Sequence, residues 1–334
     1  MAELRQNVIT REWVIIATER AKRPDQFARE KEAIALPPYA RNCPFCPGNE
    51  EDTSVESLRL GDEKRWQVRA VANKYPALSL EIKGKRKVNG IYRSLPAVGY
   101  HEVIIEHPRH DLTTALLNVE DVAQILRAYR QRYAEISHAP GMQTIIIFKN
   151  HGKDAATSLE HPHSQLAAIP IVPHQLRSRI EEAIRHFDHT GECLYCRTLE
   201  DELEAGERIV LESEHFVAFM PYAQLSPFHM WIFPRRHYSS FDKISEPEIL
   251  DLAYNLKTVL ARLYYGLNNP DYNYTIRSIP LKEQETVYFH WYIAIIPRIS
   301  KTAGFELGSG MYINTASPEE SAQFLRDVQL PNVE

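Results

Sequence analysis

Residues Leu159 to Leu166 read LEHPHSQL: two histidines flank a proline, and a glutamine follows two positions later. On a strand every second side chain returns to the same face, so His161, His163 and Gln165 would project together. Imidazole can ligate a metal, attack an electrophile or pass a proton, and this stretch alone allows all three. The cysteines narrow the choice. There are four, Cys43, Cys46, Cys193 and Cys196, and they form two C-x-x-C pairs, CPFC and CLYC. In a reducing compartment such pairs are metal ligands or redox centres rather than structural disulfides. A thioredoxin-like centre needs its pair at a strand-to-helix turn, and the setting RNCPFCPGNEED offers none. Tetrahedral zinc needs about two more ligands beside each pair.

The histidines supply them through a repeat. The first half of the chain runs CPFC, HEVIIEHPRHD, a helix, TIIIFKN and EHPHSQLAAIPIVP. The second runs CLYC, HMWIFPRRHYSSF, a helix, YNYTIRSIP and FHWYIAIIPRI. His110 lies 51 residues before His161, and His237 lies 53 before His290. Each half thus offers Cys, Cys, His, His in the same order: Cys43, Cys46, His110 and His161, then Cys193, Cys196, His237 and His290. The repeat selects His110 over His101 and His107, because His110 and His237 precede a helix by similar distances. Closed sites with sulfur ligands favour zinc and order loops, leaving no position open to water. His163 and Gln165 align with Tyr292 and Ala294, so they are surplus to the metal plan. A surplus histidine beside a metal-anchored strand is a candidate nucleophile.

The elements that must hold these residues are well marked. Val122, Ile125, Leu126, Tyr129, Tyr133 and Ile136 form one apolar helical stripe. The second helix opens on a Ser245–Glu248 capping box with Pro247 in its first turn. Ile249, Leu252, Leu256, Val259, Leu260 and Leu263 make its stripe. The flanking segments are short and rich in Val, Ile, Tyr and Phe, as strands are. HQLRSRIEEAIRHFDHTGE reads as a helix connecting the halves. The expected fold is α+β: two fused halves, each an antiparallel sheet with a long helix and a zinc site, divided as 1–172 and 173–334.

The chain has 334 residues, 44% hydrophobic and 25% charged, the balance of a globular protein. A net charge of −5 argues against a nucleic-acid partner. No apolar run approaches the ~20 residues of a membrane span, and MAELRQNVITREWVII has no apolar signal region, so a cytoplasmic protein is expected.

The motifs together resemble the histidine triad superfamily, and within it the galactose-1-phosphate uridylyltransferase family, a branch that also holds ADP-glucose phosphorylase. The likeness spans nearly the whole chain. HPHSQ resembles that branch's active-site strand, whose second histidine, here His163, becomes nucleotidylated. FKNHG resembles the segment supplying an active-site asparagine, here Asn150. ERAKRP resembles a phosphate-contacting segment, which gives Arg20 and Arg23. VANKYPALS resembles the nucleoside-pocket segment, with Asn73 contacting ribose or base, and Ser158 falls where a phosphate-binding hydroxyl stands. Phe305 and Glu306 match an acidic-aromatic pair in the C-terminal segment. The resemblance also implies that two chains pair and that this segment reaches a neighbour's active site. Ser164 before the glutamine, and Tyr312 within KTAGFELGSGMYIN where a glutamine is expected after Lys301, are closer to the phosphorylase.

A neutral imidazole is nucleophilic without prior deprotonation, so His163 suits attack on the α-phosphorus of a nucleotide sugar. Its other nitrogen must then donate to an acceptor, which the resemblance implies is a backbone carbonyl of the same strand, here that of His161. Gln165 would donate its amide to a non-bridging phosphoryl oxygen, and the arginines and Ser158 would stabilise phosphate charge. The expected activity is uridylyl transfer from UDP-glucose to a hexose 1-phosphate by double displacement. An adenylyl-transferring relative with phosphate as acceptor is the alternative. From a different class, a non-catalytic double zinc module fits the ligands, but the net charge and the unduplicated His163–Gln165 pair count against it.

Overall fold

The computed structural model describes residues 2–17, 27, 36–62 and 65–331. Arg20 and Arg23 lie outside them. The β-branched and aromatic runs form strands that join into one ten-stranded antiparallel sheet. Five come from the first half: β3 (Glu56–Gly61), β4 (Trp66–Ala72), β7 (Tyr100–Ile105), β8 (Thr144–His151) and β9 (His163–Ile169). Five come from the second: β10 (Ile209–Glu212), β11 (Phe216–Phe219), β12 (Met230–Pro234), β13 (Tyr272–Arg277) and β14 (Tyr292–Pro297). Their order is β10-β11-β12-β14-β13-β8-β9-β7-β4-β3. Read outward from the middle, the order in one half is the mirror of the other. The duplication seen in the sequence is therefore a two-fold arrangement of strands, and the halves fuse along β8 and β13, where Asn150 faces Asn273. Each of those edges would otherwise leave a row of unpaired backbone groups.

The two striped helices lie on one face of the sheet. In α1 (Val119–Ser137) Asn118 caps the first turn by accepting the Asp121 N–H, and in α4 (Glu246–Gly266) the Ser245–Glu248 box is formed, with a proline in the first turn. Every stripe residue named above is buried. One continuous core runs under both helices from Val68 and Ile104 to Ile232 and Ile295. Arg127 of α1 pairs with Glu246 at the start of α4, tying the halves together on the helical side.

The opposite face is covered differently in each half. In the first, Cys43, Phe45 and Cys46 pack on Trp66, Val71, Val103 and Ile105. In the second, α2 (His174–Thr190) and α3 (Leu194–Ala205) pack on Phe219, Trp231, Phe233 and Tyr292. The chain ends meet in a small sheet of β1 (Glu3–Gln6), β2 (Trp13–Ile16) and β15 (Tyr312–Asn314), in which β15 runs parallel to β2. An exposed hairpin, β5 (Lys87–Asn89) and β6 (Tyr92–Ser94), stands apart. A short helix, α5 (Gly304–Ser309), precedes β15, and α6 (Pro318–Asp327) ends the described fold. No helix among the described residues is long and apolar enough to cross a membrane.

Candidate active site and metal centres

The ligand atoms of Cys43, Cys46, His110 and His161 all lie within 4.8 Å of one another, and all four residues are buried. Cys46 Sγ is 3.6 Å from His110 Nδ1 and 3.7 Å from His161 Nδ1. Metal bonds of about 2.3 Å to sulfur and 2.0–2.1 Å to nitrogen, at a tetrahedral angle, put these atoms about 3.6 Å apart. The donor set therefore fits a metal ion. The His161 ring is fixed by Nε2–H donating to the His107 carbonyl at 2.8 Å, which leaves the Nδ1 lone pair for the metal. Burial pushes His161 down to about 4, so the ring is neutral, as a ligand must be.

The second group is looser. Cys193, Cys196 and His237 meet the same distance limit, with Cys196 Sγ 3.2 Å from His237 Nδ1. His290 Nδ1 stands 4.0 Å from Cys196 Sγ, so its ring completes the set at the edge. The outward nitrogens again donate to carbonyls: His237 Nε2 to Thr286 at 3.2 Å and His290 Nε2 to Arg236 at 3.1 Å. Cys193 caps α3 and Cys196 sits in its first turn, whereas the first pair lies in a loop.

His163 opens β9. Its Nδ1–H donates to the His161 carbonyl at 2.9 Å, and that acceptor fixes the tautomer. Nε2 is left with its lone pair and no protein partner among the described residues. The ring is 6% exposed, and burial, reinforced by the Lys149 charge, holds its pKa below the ordinary histidine value. A neutral imidazole with one free nitrogen thus lines a cleft of about 540 Å³. Asn150, Ser158 and His161 line the same cleft, and Tyr264, Asn268 and Asn269 close it from the second half. Asn150 Oδ1 accepts from Asn273 Nδ2 at 2.8 Å across the seam, so its amide nitrogen is turned outward. The turn after Asn150 requires glycine: Gly152 has φ 84°, and a Cβ there would stand 2.2 Å from the Asp271 carboxyl. That carboxylate accepts the Asp154 N–H at 2.5 Å and shapes the loop carrying Ser158.

Gln165 shares the His163 face and is oriented by a residue that the metal plan set aside. The Ala77 N–H donates to His101 Nδ1 at 3.0 Å, so His101 Nε2 carries the proton and donates to Gln165 Oε1 at 2.8 Å. The Gln165 amide nitrogen is thereby left as a free donor. Asn73 Nδ2 stands 3.2 Å from His101 Nε2, its Oδ1 accepting the Tyr75 N–H at 2.9 Å. His101 and Gln165 come from strands paired at Glu102–Leu166, a register that the sequence does not print.

Beneath the strand, Ser164 faces the helices. Tyr129 donates to its Oγ at 2.6 Å, and the same phenol meets Glu106 at 3.1 Å and Tyr274 at 2.7 Å. Lys149 pairs with Glu106 in this buried layer and lies 3.4 Å from the His163 carbonyl. Ser164 therefore cannot read a base in the cleft.

Phe305 and Glu306 are not brought to His163 within the chain. Both lie on α5, Phe305 exposed and Glu306 half-buried, and Glu306 accepts the Ala303 N–H at 2.9 Å.

The family profile described as galactose-1-phosphate uridyl transferase, N-terminal domain, matches residues 1–173, and one described as a domain of unknown function matches 113–329. An ADP-glucose phosphorylase of Arabidopsis thaliana is 37% identical over 98% of this chain and 93% of its own length. A galactose-1-phosphate uridylyltransferase of Thermotoga maritima is 29% identical over 99% of both. The crystal structure of an Arabidopsis thaliana ADP-glucose phosphorylase with bound ADP-glucose superposes with TM-score 0.85 at 33% identity, covering 99% of each chain. A uridylyltransferase structure superposes with TM-score 0.75 at 27% identity, covering 98% of this chain and 97% of that one. With more than half its length matched by the first profile, the chain belongs to the galactose-1-phosphate uridylyltransferase family of nucleotidyl-transferring enzymes.

Proposed function

We propose that this enzyme is a UDP-glucose:hexose-1-phosphate uridylyltransferase acting through a nucleotidyl-His163 intermediate. One observation carries the reading: a buried neutral imidazole whose Nδ1–H is held by a carbonyl and whose Nε2 is free in a cleft. The Nε2 lone pair attacks the α-phosphorus; a P–N bond forms, the bond to the bridging oxygen breaks, and glucose 1-phosphate leaves. The phosphate oxygen of galactose 1-phosphate then attacks the same phosphorus, the P–N bond breaks, and neutral His163 returns. Such transfers need positioning and charge stabilisation more than proton chemistry. Gln165 donates to a non-bridging oxygen, and Asn150 and Ser158 hold the phosphates. Arg20, Arg23 and Asn73 take the phosphate and nucleoside contacts that the family likeness gives them.

Zinc is the metal we assign to both Cys/His groups, in a structural role: sulfur and imidazole donors in closed sets leave no place for a reacting water. We divide the chain at 172 into a catalytic half and a half lacking the nucleophile. We also take the working form to be a cytoplasmic homodimer in which Phe305 and Glu306 serve the partner's cleft.

The 37% identity to an ADP-glucose phosphorylase favours a second reading, in which ADP-glucose is the donor and phosphate the acceptor. Labelling decides. UDP-glucose labelled at the α-phosphate should leave an acid-labile adduct on His163, discharged by galactose 1-phosphate as UDP-galactose, with ping-pong kinetics. His163→Gly should abolish labelling and keep two zinc ions per chain by metal analysis. Faster labelling by ADP-glucose with discharge by phosphate as ADP would establish the second reading. No label from either donor would leave a non-catalytic zinc module.

A further inference from the structure

The two-fold arrangement carries the catalytic strand pair onto β13 and β14. Tyr292 takes the place of His163, and Arg277 is paired directly with Tyr292. Extending the β8–β9 register by two residues puts Asn150 opposite His163, so Arg277 takes the place of Asn150. The second half has exchanged a nucleophile and an amide for a phenol and a guanidinium.

Around that pair several polar side chains have no hydrogen-bond partner among the described residues. Arg277 is half-buried; its Nε is sealed from solvent without a partner among the described residues, and its guanidinium lies 5.9 Å from the Tyr292 ring centroid. Arg179 of α2 is 8% exposed; its Nε is likewise sealed and unpartnered, and its Nη1 donates only to the Gln175 carbonyl at 2.9 Å. His229 is 3% exposed, and its Nε2 accepts from Trp231 at 3.1 Å, so Nδ1 must carry a proton that meets no acceptor. The Tyr195 hydroxyl is fully buried and also unpartnered. These groups feel one another: burial and the charges of Arg277 and Arg179 push His229 down to about 3. Glu12 is the carboxylate near Arg277, yet it forms no ion pair with either arginine among the described residues, and its own Oε2 has no partner.

Arg179 and Arg277 line one cavity of about 200 Å³ with Pro173, Gln175 and Leu176 from the start of α2. That helix is 17 residues long, its Pro173 N-cap gives no side-chain cap, and Pro173 itself lines the cavity, so the positive end of the helix lies beside it. Two guanidinium groups at least partly withdrawn from water, with no ion-pair partner among the described residues, are costly. Of the side chains lining the cavity only the two arginines are charged, and two fixed positive charges suit a dianion rather than a cation.

We propose that this cavity is a second, non-catalytic site for a phosphate-type oxyanion, held by Arg179 and Arg277 in the half that has lost the nucleophile. It is less than half the size of the catalytic cleft and takes a phosphate group, not a whole nucleotide sugar. Bound there, phosphate would meet no histidine and would not react.

The test uses the full chain. Crystals soaked in tungstate, a heavy phosphate mimic, should show a peak within hydrogen-bonding reach of both arginines. In solution, inorganic phosphate should raise the melting temperature of His163→Gly, which cannot be nucleotidylated. Arg277→Leu or Arg179→Leu in that background should weaken phosphate about tenfold or more, the loss of a charge-assisted contact. Glucose 1-phosphate run in parallel separates the sources: binding of either ligand with that arginine dependence supports the site and says whether the free ion or the ester is held. A tungstate peak in the catalytic cleft alone, or a Glu12 carboxylate closed onto Arg277 in the soaked crystal, overturns the proposal. The soak needs no variant, so a variant that fails to fold does not blunt the test. Because the site is read by position, its failure is distinct from any failure of the uridylyl assignment.

Discussion

His161 and His163 carry the same ring two residues apart, and the backbone gives them different work by taking a different nitrogen from each. The His107 carbonyl takes Nε2 of His161, so Nδ1 is left for the metal group; the His161 carbonyl takes Nδ1 of His163, so Nε2 is left for the cleft. The expectation that the His161 carbonyl would be the acceptor came from the family resemblance, which implies a backbone carbonyl of the same strand. His101 was not legible, since its partner Gln165 lies 64 residues away and only the strand register joins them. Gln165 can offer its amide nitrogen because His101 occupies its oxygen, so His101 is a positioning residue. His101→Ala should lower kcat about 10–100-fold, somewhat less than removal of a direct transition-state donor, with little change in KM or metal content. His101→Ala and Gln165→Ala together should cost little more than Gln165→Ala alone. Full additivity of the two effects would show that His101 acts elsewhere.

Among elements, the helices were read from their stripes and caps because periodicity of 3.6 is a strong local signal. The four-residue strands β10 and β11 were not, being too short for a periodicity to mark them, nor was the parallel β2–β15 pairing, whose partners are distant in sequence. The closure of the chain ends depends on α6, where Glu319 pairs with Arg5 of β1 at 2.7 Å and Arg208 at 3.0 Å. Burial alone would raise the Glu319 pKa, but hydrogen bonds from Arg5 and the Ser317 hydroxyl and the Arg5 charge hold it down at about 2, below its ordinary value of 4.5. A depressed carboxylate stabilises the fold fully above its unfolded pKa, and loses that contribution as pH falls through the folded one. Arg208 also holds Glu202, which burial pushes up to about 7. Loss of Glu319 would ease Glu202 ionisation and offset part of the effect. Glu319→Gln should therefore cost only about 1–2 kcal/mol at pH 7, allowing for solvent screening, or a few degrees in Tm. The gap from the parent should narrow between pH 4.5 and about 2. A gap that widened on acidification would mean that the Arg5–Glu319–Arg208 contact is not what the carboxylate contributes.

At the scale of the molecule, duplication was legible from ligand order, and fusion of the halves into one sheet was not, because β8 and β13 carry no signal of pairing with each other rather than with solvent or a partner. The fused sheet also explains an omission within the chain. The cleft is closed from the second half by Tyr264, Asn268 and Asn269, while Phe305 and Glu306 stand on α5 and do not line it. Phe305 is 46% and Leu307 79% exposed, a large apolar display for so short a helix. If the segment serves a partner's cleft, a two-fold pair holds two sites, each built from both chains. His163→Gly and Glu306→Ala, each purified alone, should then be impaired, the first completely and the second strongly. After unfolding together and refolding at equal amounts, half the pairs are mixed, and each mixed pair contains one site with an intact histidine and an intact segment. Activity should recover to about a quarter of the parent's, the share expected from random two-fold pairing. A mixture no more active than the average of its parts would return Glu306 to the role it has within the chain, a cap for its own helix.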